Sequence, residues 1–371
     1  MSDREARLGE WLCQETAFGP DATVVDLRPL SGGQSSELLS LVCRRTAFGV
    51  PERFVIRMEQ RGKQLFLEPD IAREYRVMKG IAAAGKVPVP PLMGLEATGE
   101  ILGLPFMVMR EVEGRAPLGR PSMHVQGLLV EIAPEERREL AFNAMGEVAA
   151  IHATDWRRTH AFLSGSEKGI DRHLSHLEAW YRWAAQGRSF PLTDQALEHL
   201  LRNRRELSDE EDVLLWGDAR PGNILFKADR SVAAVLDWEG ALVGPRSLDV
   251  GYWLMMDSFV TDMVGIERAA GWPDHDEFVR HYREASGAQV HDIDYFIVLG
   301  AFFIAVTLIR AADIGIAAGR LATETRMAHA NTATQIIAAK LGLPIPALSP
   351  DFAKHRGLAP GFSGPRSLLE A

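Results

Sequence analysis

The segment WGDARPGNILF at Trp216–Phe226, followed by VLDWEG at Val235–Gly240, limits what this chain can fold into more than any other feature. Asp218 and Asn223 stand five positions apart in a stretch punctuated by Gly217, Pro221 and Gly222. Such a stretch continues neither helix nor strand, so the spacing predicts a loop whose Asp218 projects into a cleft rather than a core. Ile224, Leu225 and Phe226 then read as a short strand, 227–231 as a polar turn, and 232–236 as a returning apolar strand. A hairpin of this length carries Asp237, at the exit of the second strand, back toward Asn223.

Two carboxylates and one amide in this arrangement suit transfer of a phosphoryl group from Mg·ATP. Asp218 would align an acceptor hydroxyl as the catalytic residue. Asn223 and Asp237 would supply hard oxygen ligands to one Mg²⁺. Taken singly, each is an ordinary turn residue; the constellation carries the inference.

The order W-G-D-A-R-P-G-N-I-L-F and then L-D-W-E resembles the catalytic and metal loops of the aminoglycoside phosphotransferase (APH)-like family, which shares the bilobal protein-kinase fold. Within that family it is most similar to the subgroup related to the kinase-like domains of some acyl-CoA dehydrogenases. The resemblance runs from about Val24 to the helices after Tyr295. Trp216 is a departure, because the family usually has His before Gly-Asp. The resemblance implies an α+β fold with a small strand-rich N-lobe and a large, mostly helical C-lobe. It also implies ATP and Mg²⁺ as cofactors.

The upstream order agrees with that resemblance. Residues 22–30 and 37–44 read as strands around Ser31-Gly32-Gly33-Gln34-Ser35-Ser36. Gly32, Gly33, Gln34 and Ser35 are candidates to close backbone N–H groups over phosphates, though a Gly-Gly pair also makes a plain hairpin turn. The strand at 54–58 places Arg57 where kinase-like folds carry a phosphate-binding Lys; the other reading is an exposed strand charge. A helix is predicted over 70–84, with Asp70 as N-cap and Gly85 as its stop. Glu74 on that helix matches the kinase-like partner of the strand cation. The strand at 105–112 matches the connector between lobes, where backbone groups near Arg110 and Val112 would hold adenine and Met107 or Met109 would pack on its ring. Core packing is the equal alternative for the methionines.

The spacing predicts an N-terminal helix over 1–20 with Leu8, Trp11 and Leu12 on one side, an N-lobe over 21–111 and a C-lobe over 112–371. A Pro/Gly-rich tail begins near 344, to wrap the large lobe or stay mobile. The helix predicted over 134–154 ends at His152 and Asp155, which resemble structural residues bracing the catalytic loop. Asp249 resembles a loop stabiliser. Arg220 pairs with a loop carboxylate or neutralises the transferring group. Glu239 binds a second metal or is a surface carboxylate. The apolar run 295–309, bounded by Asp294 and Arg310, is short for a membrane span and predicts a buried helix.

A net charge of −9 argues against a nucleic-acid partner. Two cysteines, Cys13 and Cys43, are too few for a disulfide framework and fit a reducing cytoplasm. The charged N-terminus does not read as a signal peptide. The acceptor stays open among an antibiotic such as an aminoglycoside, a sugar or amino alcohol, and a hydroxyacyl thioester. Acids at Asp257, Asp262, Asp274, Asp276 and Glu277 would form a cationic-substrate pocket or a solvated face. The alternative function is a nucleotide-binding pseudokinase serving as a regulatory module.

Overall fold

The computed structural model describes residues 3–30, 36–46, 48–59, 64–117 and 119–364. Gly32, Gly33, Gln34 and Ser35 lie outside the described residues.

Helix α1 (Asp3–Gln14) precedes strands β1 (Thr23–Pro29), β2 (Glu37–Arg44) and β3 (Glu52–Met58), helix α2 (Ile71–Ala84), and strands β4 (Leu92–Glu96) and β5 (Phe106–Arg110). The first helix ends well short of residue 20, because the chain turns at Gly19 with φ +89°. The strands form one antiparallel sheet in the order β1-β2-β3-β5-β4. Strand alternation divides its side chains. Phe54, Ile56, Met58, Phe106 and Val108 join Leu8 and Leu12 in a core beneath α1. Arg57 is paired with Met107 and Val55 with Met109, on the face turned to α2 and the larger lobe.

Helix α2 begins and ends as its caps dictate. The Asp70 side chain accepts the Arg73 N–H at 2.8 Å, and Gly85 closes the helix at φ +66° with its N–H on the Ile81 carbonyl.

The larger lobe contains α3 (Leu128–Glu131), α4 (Pro134–His152), α5 (Trp156–Thr159), α6 (Gly169–Ala185) and α7 (Pro191–Asn203). Strands β6 (Asp212–Leu215), β7 (Ile224–Phe226), β8 (Val232–Val235) and β9 (Leu242–Pro245) follow, pairing as β6-β9 and β7-β8. Helices α8 (Ser247–Val260), α9 (His275–Ser286), α10 (Ile293–Ala317), α11 (Thr332–Leu341) and α12 (Pro350–Arg356) complete it. This is the expected α+β, bilobal kinase-like arrangement.

Helix α10 is longer than its sequence pattern implied. Its 25 residues make it long and apolar enough to cross a membrane by length and composition. The structure instead packs it against α6, α7, α8 and α11, with 72% of its most apolar window buried. The tail also docks. Leu348 donates its N–H to the Ser363 carbonyl at 2.8 Å, and Phe352 of α12 is fully buried beside Phe259.

The lobes are stitched at the connector. Arg115 and Phe226 exchange backbone hydrogen bonds at 2.9 and 3.0 Å, and Val235 N–H donates to the Pro88 carbonyl at 2.8 Å. These bonds set the β7-β8 hairpin, and so the loops at its ends, against the N-lobe sheet.

Candidate active site

The loop between β6 and β7 that carries Asp218 is held from below by one buried carboxylate. Asp249, near the start of α8, accepts the Trp216 N–H at 2.7 Å and the Gly217 N–H at 2.9 Å. Its Oδ2 also lies 3.1 Å from His152 Nε2, and His152 Nδ1 lies 2.7 Å from the Tyr282 hydroxyl. Asp249 and His152 therefore act on the loop and not on a substrate. Asp155 ends α4's turn as the residue before α5, its carbonyl accepting the Thr159 hydroxyl.

Gly217 is required where it stands. Its φ is +86°, and a Cβ there would sit 2.0 Å from the Gly240 carbonyl oxygen. The loop of Asp218 and the loop of Asp237 thus touch backbone to backbone. Trp216 adds a second link, its indole N–H donating to the Leu236 carbonyl at 2.9 Å. The ring is fully buried against Trp238, which explains why an aromatic donor suits this place in the loop.

Asp218 sits within a fan of donors. Tyr252 O–H donates to Oδ1 at 2.6 Å, Asn223 Nδ2 to Oδ2 at 2.6 Å, and Arg220 Nε reaches both oxygens at 3.0–3.1 Å. Burial works against the Arg220 charge, but Asp218 outweighs it and the guanidinium's pKa stands above its usual value. Burial and Asp218 together push the Tyr252 hydroxyl well up, so it stays a donor. Tyr252 went unread in the sequence. The available signal was a tyrosine inside the apolar run of α8, where a buried hydroxyl needs a partner.

The β7-β8 hairpin closes as its spacing predicts, with Ile224 opposite Val235 and Leu236 N–H on the Asn223 carbonyl at 2.9 Å. Asp237 is the next residue. It adopts φ +62°, a left-handed conformation that Asp tolerates better than most residues. Asn223 spends its amide N–H on Asp218, which leaves Oδ1 without a hydrogen-bond donor among the described residues.

Arg57 crosses between the lobes. Its Nε donates to Glu74 Oε2 at 2.9 Å, and its Nη2 to Asp237 Oδ1 at 2.8 Å and Glu239 Oε2 at 3.0 Å. Burial opposes the Arg57 charge, yet the three carboxylates raise its pKa above the usual guanidinium value. Burial pushes the Glu74 carboxyl up, and Arg57 holds it back. The Arg57–Glu74 pair is therefore formed, and Arg57 is 8% exposed rather than a surface charge. Arg73 precedes Glu74 on the same helix. It donates to the carbonyls of Glu239 and Ala241 and ties α2 to the loop of Asp237.

At the connector the Arg110 N–H donates to the Pro91 carbonyl at 2.8 Å and its guanidinium pairs with Glu52 at 2.6 Å. Val112 lies past the end of β5, and its backbone N–H bonds to none of the described residues. Met107 is fully buried and Met109 is 9% exposed, on the same sheet face as Arg57.

Four of the five acids proposed for a cationic pocket have partners within the protein. Asp257 is bound by Arg268, His275 and the Trp272 indole, and Asp262 by both terminal nitrogens of Arg268. Glu277 pairs with Arg138, and Asp274 caps α9. Asp257, Asp262 and Glu277 are thus drawn into ion pairs, while Asp276 stands exposed on α9.

No group of three or more His, Cys, Asp or Glu side chains among the described residues forms a ready cage for a metal. The donor set at the hairpin suits a different mode. The accepting Oδ1 of Asn223 and the carboxylate of Asp237 are hard oxygens, and Mg²⁺ is commonly held by one or two protein carboxylates plus substrate phosphates.

The model of the phosphotransferase enzyme family (APH) matches residues 26–285. Acyl-CoA dehydrogenase family member 11 of Gallus gallus is 26% identical over 316 residues, covering 81% of this chain and 38% of that protein. Acyl-CoA dehydrogenase family member 10 of Mus musculus is 32% identical over 207 residues, covering 54% of this chain and 18% of that protein. The chain thus spans well under half the length of these curated relatives. A putative aminoglycoside phosphotransferase from Ralstonia eutropha JMP134 superposes with a TM-score of 0.66 at 22% identity, over 90% of this chain and 98% of that one. Aminoglycoside phosphotransferase APH(4)-Ia, in a ternary complex with ADP and hygromycin B, superposes with a TM-score of 0.56 at 14% identity, over 90% of this chain and 98% of that one. With the APH model covering well over half of its length, and a kinase-like fold that carries the loops described above, this chain belongs to the phosphotransferase enzyme family.

Proposed function

We propose that the protein transfers the γ-phosphoryl group of ATP to a hydroxyl of a small molecule. The observation that carries this is Asp218. One carboxylate is fixed by Arg220, Asn223 and Tyr252, and its loop is pressed backbone to backbone against the loop of Asp237. Fixed donors align the carboxylate before substrate arrives, and positioning accounts for much of the acceleration in this chemistry.

In this reading Asn223 and Asp237 would hold Mg²⁺, which would neutralise phosphate charge when bound. Arg57, oriented by Glu74, faces the phosphate chain, with Gly32, Gly33, Gln34 and Ser35 as candidates to close over it. Val112 offers its backbone to the adenine, beside Met109. Asp218 accepts the proton of the acceptor hydroxyl as the new O–P bond forms and the bond to ADP breaks. Arg220 answers the charge of Asp218, and on the side away from it meets the incoming phosphoryl group.

The test is ADP release in the presence of Mg·ATP and a panel of sugars, amino alcohols, aminoglycosides and hydroxyacyl compounds, with the Asp218→Asn variant as blank. Acceptor-dependent release by the native protein alone supports the proposal. Silence across the panel with no stabilisation by Mg·ATP overturns it.

One observation favours a second reading, a nucleotide-binding pseudokinase. Arg57 Nη2 already occupies Asp237 and Glu239, where a metal would otherwise draw on the carboxylate. A regulatory module of this kind would be stabilised by ATP without Mg²⁺ and release no ADP.

A further inference from the structure

A cavity of about 100 Å³ opens beside the catalytic loop. Met123, Trp253, Met256, Val260 and Trp272 make much of it apolar. Three charged side chains also line it: Arg220, Asp257 and Arg356.

Two of these charges are answered within the protein. Arg220 has Asp218 at 3.0 Å. Asp257 has Arg268 at 2.6 Å, His275 at 3.1 Å and the Trp272 indole N–H at 3.0 Å. No carboxylate among the described residues pairs with Arg356. Its Nη2 donates to the Pro121 carbonyl at 2.7 Å, and the guanidinium carbon lies 5.4 Å from the centre of the Phe259 ring. Its Nε is buried with no hydrogen-bond partner, and Arg356 forms no ion pair among the described residues.

The placement is built by the fold. Helix α12 is anchored by fully buried Phe352 and closed by Gly357 at φ +72°, which fixes the helix end that carries Arg356. Burial, followed by the neighbouring charges of Arg120 and Arg220, lowers the Arg356 pKa to about 10. The group is still cationic at neutral pH. A guanidinium held against apolar walls, beside two further cations and without a counter-charge, is costly unless an anion joins it.

We infer that Arg356 binds an anionic group of the acceptor, a carboxylate or a phosphate, while the apolar wall takes its carbon body and Asp218 its hydroxyl. This deepens the phosphotransferase proposal and rests on it. The site excludes polycations, since it presents uncompensated positive charge to them.

The test compares three acceptors that differ only at one end: 3-hydroxyoctanoate, 1,3-octanediol and 1-amino-3-octanol. Glycerol 3-phosphate against glycerol distinguishes phosphate from carboxylate as the source of the anion. The expected result is a kcat/KM for the anionic member at least tenfold above its neutral partner, carried mostly in KM. Arg356→Met removes that preference and Arg356→Lys keeps part of it, while both variants still melt in one cooperative transition. Thermal-shift titration with the same compounds gives an answer whether or not they turn over. The anion should stabilise the native protein and not Arg356→Met, while the diol stabilises both equally.

Three results overturn the inference. One is a diol or amino alcohol that binds or reacts as well as the acid. Another is an anion preference that survives in Arg356→Met. The third is an equal loss with every acceptor, which would put Arg356 on the transferring phosphoryl group instead. Absence of Mg·ATP-dependent ADP release with all acceptors, together with no Mg·ATP stabilisation, is a different failure and strikes the phosphotransferase proposal itself.

Discussion

Arg57 and Asp237, 180 residues apart in the chain, meet at 2.8 Å across the two lobes. The same guanidinium is bound by Glu74 from behind, so one cation joins strand β3, helix α2 and the hairpin exit. Such a link is electrostatic and orienting at once, because the planar fork fixes direction as well as distance.

Replacing Arg57 with Ala should therefore do two things. It strands Glu74, a carboxylate 3% exposed, and should cost about 3–5 kcal/mol of stability. It should also weaken Mg·ATP binding. Arg57→Lys should recover part of the stability and less of the binding, because an ammonium cannot serve three carboxylates in a plane. Denaturant melts and a nucleotide titration measure the two effects separately.

Asp218→Asn should leave Mg·ATP binding within about twofold and lower transfer by roughly 10²–10⁴. The amide keeps the shape but cannot take the hydroxyl proton. Single-turnover ADP formation read beside a nucleotide Kd decides it. Equal loss of both quantities contradicts the division of roles.

Asp237→Ala should instead weaken nucleotide binding in Mg²⁺. In EDTA the variant should bind ATP no more weakly than the native protein, because the metal is absent from both and Arg57 has one carboxylate fewer to answer. Isothermal titration with and without Mg²⁺ makes the comparison.

Gly217→Ala places a Cβ 2.0 Å from the Gly240 carbonyl and forces alanine to φ +86°. Strained backbone alone costs about 1–3 kcal/mol, and the clash adds to it. The expected outcome is a Tm lower by several degrees and a catalytic loop displaced from Asp249. Gly240→Ala, where the nearest atom is 3.2 Å away, should be milder.

Glu147 sets a pH test away from the cleft. Burial raises its carboxyl to about 7, and its Oε2 is buried without a partner. The folded state thus holds a proton that the unfolded chain releases near 4.5. Stability from this group is complete below pH 4.5 and is lost as pH rises through about 7. Glu147→Gln should be more stable than the native protein by roughly 1–2 kcal/mol at pH 8, after allowing for partial solvent access, and show no such gain at pH 4.5. Urea melts at the two pH values check both sign and window.

Much of the site was legible because its parts are local. The Asp218–Asn223 spacing, the Ile224–Val235 hairpin, and the Asp70 and Gly85 caps each need only a few consecutive residues to declare themselves. Arg73, Tyr252 and Arg356 were not legible, since each acts on a partner at least 34 positions away. The length of α10 was misjudged for a related reason. Arg310 bounded the apolar run, but it pairs with Asp313 at 3.3 Å, three residues on, and the helix continues.

By itself the sequence determined which loops carry Asp218, Asn223 and Asp237 and where helix α2 and the β7-β8 hairpin lie. Those features follow from backbone preference, capping and the period of apolar residues, which act over a turn or two. Only the tertiary structure decided which charges are answered and which are left open. It satisfied Asp257, Asp262 and Glu277 with arginines and left Arg356 without a counter-ion among the described residues, facing an apolar cavity. Charge balance in a folded protein depends on distances between segments remote in the chain, and packing alone sets those distances.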